Sequence, residues 1–207
     1  MKKTKKILAL ALAAVMLVCT TVAATVAYLT SQDSVTNTFT VGKVKITLDE
    51  LDVDNSTPGE NDRDKANTYK IFPGGTYEKD PIVHVSNEAD VEDCYVFVKV
   101  VNGLGTSEAA VESLGTVETQ MKTNGWAEVE GKENVWIYKG TGTETKVVVS
   151  KGTNLPVFTK FAVSNALDND GLNALNNKTI VVNAYAIQAD GFAEYTPAQI
   201  WTAAAFS

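Results

Sequence analysis

Few side chains in this chain could carry chemistry. The only histidine, His84, sits in Pro81-Ile-Val-His-Val85, and of the two cysteines only Cys94 lies beyond the N-terminal apolar run. A zinc site draws three or four ligands from His, Cys and carboxylates, and the sequence has no HExxH pair to start one. His84 shares parity with Ile82 and reads as a half-buried or surface residue. Cys94 falls in Asp93-Cys-Tyr-Val-Phe-Val-Lys-Val-Val101, apolar at both parities, and reads as a small buried hydrophobe rather than a reactive thiol.

The acidic group Asp49, Glu50, Asp52, Asp54, Asp62 and Asp64 could gather a weak divalent cation, but a solvated acidic face is the simpler reading. Asp168-Asn-Asp-Gly171 begins like a calcium loop. Lys178 and Thr179 stand where such a loop carries its closing Glu, so a turn entering a short helix is expected. Trp126, Trp136 and Trp201 could stack on sugars or fill a core, and the core is favoured. Nothing in the sequence places two carboxylates around a cleft, as glycoside hydrolysis requires. Serine nucleophile motifs, phosphate-binding glycine loops and dinucleotide fingerprints are absent. The expectation is a non-enzymatic protein with no catalytic, cofactor or metal residues.

The 207 residues include 18 Lys+Arg and 25 Asp+Glu, and 44% are hydrophobic, an ordinary globular balance. Lys2, Lys3, Lys5 and Lys6 precede an apolar stretch from Ile7 to Leu29, and no acid occurs before Asp33. This reads as a secretory signal over residues 1–27, cut between Ala27 and Tyr28 after the small residues Thr25 and Ala27. An uncleaved membrane anchor is the alternative, and the only expected membrane contact. Val18 before Cys19 argues against a lipoprotein site. Loss of the leader would move the net charge from −7 to −11, since four lysines leave with it. Such an acidic surface repels phosphate backbones and argues against nucleic-acid partners. With Cys94 alone in residues 28–207, no disulfide framework supports the fold, and a hydrophobic core must do so.

Short strands dominate the pattern. Val35, Phe39 and Val41 hold one parity and Val44, Ile46 and Leu48 the other, so a bulge at Gly42-Lys43 or a break into two strands is expected. A loop over Asp49–Lys65, a strand at Tyr69–Phe72 and a tight turn at Pro73-Gly-Gly75 follow. Further strands are expected at Pro81–Val85, Asp93–Val101, Gly125–Val129, Asn134–Lys139, Thr145–Val149, Leu155–Val163 and Lys178–Gln188. Ala110, Leu114, Val117 and Met121 are spaced as one helix face within Ser107–Thr123, with Ser107 as cap. Asp168–Asn177 suggests a short helical turn. Thr196-Pro-Ala-Gln199 has the spacing of a capping box ahead of a C-terminal helix. The sum is an all-β, two-layer antiparallel sandwich over residues 28–207, with one or two short helical insertions.

Five stretches together resemble the TasA/camelysin family, secreted proteins of Gram-positive bacteria processed by a dedicated signal peptidase of the SipW type. They are Ala24-Thr-Val-Ala-Tyr-Leu-Thr30, Asn37-Thr-Phe-Thr-Val-Gly-Lys-Val-Lys-Ile-Thr-Leu-Asp49, Phe72-Pro-Gly-Gly-Thr-Tyr-Glu-Lys-Asp-Pro81, Cys94-Tyr-Val-Phe-Val-Lys-Val100 and Asn183-Ala-Tyr-Ala-Ile-Gln-Ala-Asp-Gly-Phe192. The resemblance is poorest over Ser107–Thr153. It implies a jelly-roll sandwich and a structural subunit of extracellular biofilm-matrix fibres. It also implies signal peptidase and other matrix proteins as partners, and a head-to-tail homopolymer in which one subunit's N-terminal segment joins the next subunit's sheet. Carried here, that assembly strand is Tyr28 to about Val41, with Tyr28, Leu29, Val35, Phe39 and Val41 in it. Tyr28–Thr38 is polar and β-prone with few apolar residues to hold it to its own core, which suits strand addition and equally a frayed terminus. Two other readings stay open: a camelysin-like surface metalloprotease, implied by resemblance alone, and a monomeric surface adhesin.

Overall fold

A strand that is apolar at both parities needs cover on both faces, and the chain is organised around one. The computed structural model describes Lys3 and residues 43–55 and 63–206. Its strands are β1 (Ile46–Leu51), β2 (Arg63–Asp64), β3 (Thr76–Glu78), β4 (Ile82–Val85), β5 (Cys94–Asn102), β6 (Glu108–Ala109), β7 (Trp126–Glu128), β8 (Val135–Tyr138), β9 (Asn154–Pro156), β10 (Lys160–Val163) and β11 (Ile180–Gln188). Helices α1 (Val117–Thr123), α2 (Asn169–Asn173) and α3 (Pro197–Ala203) interrupt them. The strands form three antiparallel sheets, ordered β2-β1-β4-β9, β3-β10-β6 and β11-β5-β8-β7. The described residues from Lys43 to Phe206 belong to one compact unit.

Alternate residues of β5 feed two cores. Cys94, Val96, Val98 and Val100 join the larger one, which the three sheets share with Val83, Leu155, Phe158 and Phe161. Tyr95 and Phe97 point the other way, into a smaller cluster closed by Ile200 and Trp201 of α3. The capping box is formed as expected: Thr196 Oγ1 accepts from Gln199 N and Gln199 Oε1 from Thr196 N, with Pro197 in the first turn. All three tryptophans are buried, and Trp126 Nε1 donates to Pro156 O at 2.8 Å. Cys94 lies at 0% exposure in an interior strand.

Several expectations need correction. Asp49–Lys65 is not one loop, because β1 runs through Leu51 and pairs with Arg63–Asp64. Tyr69–Phe72 forms no strand, although Tyr69 and Ile71 pack on the core; the first strand after the Pro73-Gly-Gly75 turn is β3. The Ser107 helix does not form. Its first half is β6 and turns, and the helix starts ten residues later with Thr116 as cap. Positive φ at Ser113 (67°) and Gly115 (81°) breaks any helix through this stretch, and Ala110 and Leu114 are left exposed. Thr145–Val149 contributes one bridge, Val149 to Cys94. Leu155–Val163 is split because Thr159 N bonds Gln120 Oε1 at 3.0 Å instead of a neighbouring strand. Asp168 caps α2 by accepting from Gly171 N at 2.8 Å, which is the expected helical turn.

Candidate functional site

The expected cleavage pair Ala27 and Tyr28, the assembly residues Leu29, Val35, Phe39 and Val41, and the leader over 1–27 lie outside the described residues. What the structure does describe is an apolar groove bordered by two strand edges.

β4 pairs with Ile46–Asp49 along one edge of β1, whereas β2 meets the opposite edge only at Glu50 and Leu51. β5 pairs with the whole of β11 on one side. Among the described residues no strand pairs with the outer edge of Ile46–Asp49 or of Ile180–Ala184. Both edges border a single cavity of about 860 Å³. Its floor is apolar, set by Ile46, Leu48, Phe161, Ile180 and Val182. Alternation explains this: Val44, Ile46 and Leu48 share one face, as do Ile180, Val182, Ala184 and Ala186, and both rows turn toward the large core. Yet both rows are only half-buried, while Val96 and Val98 on adjacent β5 are at 0% exposure. Among the described residues, the core lacks a wall along this side.

A polar network flanks the groove, with Asp49 and His84 at the parity of β1 and β4 opposite to the apolar floor and Glu50, Asn67 and Lys79 lining the cavity itself. The chain's sole arginine, Arg63, donates Nη1 to Asp80 Oδ2 at 3.0 Å, Nη2 to the carbonyls of Asp49 and Asp80 at 3.1 Å each, and Nε to Asp49 Oδ1. His84 places Nε2 3.1 Å from Asp49 Oδ1 and Nδ1 2.7 Å from Asn154 Oδ1. Burial pushes the Asp49 carboxyl up, but hydrogen bonds from Arg63 and His84 outweigh it and hold the group below its ordinary range. Deeper in, Glu50 pairs with Lys79, both buried, and accepts from Asn67 Nδ2 at 2.9 Å. The expected solvated acidic face is therefore in part an ion-pair network that ties β1, β2 and the approach to β4 together. Asp62 lies outside the described residues. Sequence reading missed Arg63, Lys79, Asp80 and Asn67; one arginine set between Asp62 and Asp64 was the available signal.

His84 sits half-buried, as its parity suggests. Burial raises the Cys94 thiol to about 11. Among the described residues no three His, Cys, Asp or Glu side chains are grouped to hold a metal ion, and no helix is long and apolar enough to cross a membrane. No protein-family model, characterised protein or solved structure matches the chain.

Proposed function

We propose that the chain is a secreted structural subunit of extracellular fibres of the TasA/camelysin kind, a jelly-roll-like sandwich that polymerises by strand addition. Residues 28–41, released by cleavage after Ala27, enter the groove between β1 and β11 of a neighbouring copy. The observation that carries this reading is the half-buried apolar floor beneath two strand edges. An incoming strand that pairs with one of those edges satisfies its N–H and C=O groups and covers the floor at once. Leu29, Val35, Phe39 and Val41 share one parity, interrupted by Ser31, Asp33 and Asn37, so the apolar cover comes chiefly from Val35, Phe39 and Val41. Main-chain pairing supplies the affinity, and side-chain spacing sets the register. The donor lies at the chain's start and the acceptor between β1 and β11, so the contact is heterologous and propagates instead of closing.

The experiment is electron microscopy of the purified secreted form beside a variant lacking Tyr28–Thr38, with N-terminal sequencing of the first. Filaments that start at Tyr28, and a folded monomer from the truncated chain, are expected. Filaments from the truncated chain contradict strand donation.

A further inference from the structure

Lys79 is the only lysine buried among the described residues, and its ion-pair partner Glu50 is equally shielded, at 9% and 5% exposure. Two charges withdrawn from water this far are costly to keep. The carboxylate is also shared. One oxygen, Oε2, takes Lys79 Nζ, and the other, Oε1, takes Asn67 Nδ2 at 2.9 Å. The Asn67 amide is held on every side: Nδ2 donates to Leu51 O at 2.8 Å, and Oδ1 accepts from Val53 N at 2.8 Å. An amine and a side-chain amide thus meet on the two oxygens of one carboxylate.

We propose that Lys79 and Asn67 join in an intramolecular isopeptide bond, with Glu50 as the acid–base group. Glu50 takes one proton from the Lys79 ammonium, which exchanges a buried ion pair for a neutral acid and amine. The Nζ lone pair attacks Asn67 Cγ. Charge that builds on Oδ1 is met by the Val53 N–H, already in place as a donor. Glu50 relays a second lysine proton to Nδ2, the Cγ–Nδ2 bond breaks, and ammonia leaves as the Nζ–Cγ amide forms. Of the three ammonium protons, one stays on the new amide, one departs on ammonia, and one remains on Glu50. No oxidant or outside reactant enters. The bond closes a ring through the Pro73-Gly-Gly75 turn and fixes the polar lining of the groove, and it stands whether or not the chain polymerises.

The test is intact-mass measurement and peptide mapping of the purified secreted protein after prolonged incubation at neutral pH, beside Glu50→Gln and Asn67→Ala. The wild type should be lighter than its sequence by one ammonia, resist trypsin after Lys79, and yield one branched peptide linking residues 67 and 79. Both variants should keep their full mass and unfold at a lower temperature. Should either variant fail to fold, the wild-type map decides alone. Separate linear peptides with unmodified Lys79 and Asn67 overturn the proposal. So does loss of water instead of ammonia, which places the bond on a carboxyl group.

Discussion

Val182 on β11 lies directly opposite Val100 on β5, and both face the same core, yet Val100 is 6% exposed while Val182 is only half-buried. Cross-strand neighbours on one face normally share one environment. Here the environment ends between them, and β11 is where the sheet lacks a further strand among the described residues.

That difference predicts unequal costs of truncation. Phe158→Ala, at a fully buried position, should destabilise the chain by about 3–5 kcal/mol. Val182→Ala should cost under about 1 kcal/mol in the monomer, since little of its area is removed from water. Val182→Asp should leave the monomer folded and abolish filaments. Urea unfolding and electron microscopy of the three variants check this.

Gln120 offers a second target. Buried at the middle of α1, it accepts from Thr159 N and Thr159 Oγ1 at 3.0 Å each and from Lys160 N at 3.2 Å, and it donates to Lys160 O at 2.8 Å. Gln120→Met keeps the shape and strands these partners. A loss of about 2–4 kcal/mol is expected from urea midpoints.

The strands were legible where a strict alternation or a two-sided apolar run left one solution, as in β4, β5 and β11. The capping box before α3 was equally plain, because its four residues act locally. The helix expected from Ser107 failed because Ser113 and Gly115 take positive φ, which spacing alone does not reveal. The groove could not be read at all. It depends on which strands lie side by side, and β1 and β11 are more than a hundred residues apart. Likewise Glu50, Asn67 and Lys79 meet only after β1 and the segment leading to β4 are laid together.

Cys94 should be inert in the folded chain. Burial takes its thiol to about 11, far above the range in which thiolate is abundant at neutral pH. Thiol-directed reagents at neutral pH should label it only after denaturation, and labelling at the rate of a free thiol in the native state would contradict its placement.

Acid should weaken the ion pairs that Asp49 makes with Arg63 and His84. The Asp49 carboxyl lies below its unfolded value of about 3.9 because Arg63 and His84 outweigh the effect of its burial. A depressed folded value means the stabilisation is present above the unfolded one and is lost as pH falls through the folded one. Asp49→Asn should therefore flatten the decline of stability below about pH 4, measured as urea midpoints across that range. An unchanged acid limb would mean the ion pairs contribute nothing.

Amide hydrogen exchange on the chain lacking Tyr28–Thr38, with and without a synthetic peptide of residues 28–41, tests strand donation most directly. Those amides of Ile180–Ala184 and Ile46–Asp49 that point away from β5 and β4 should exchange fast in the truncated chain and slow sharply when the peptide is added. Unchanged exchange at both edges, or protection already complete without the peptide, would contradict it.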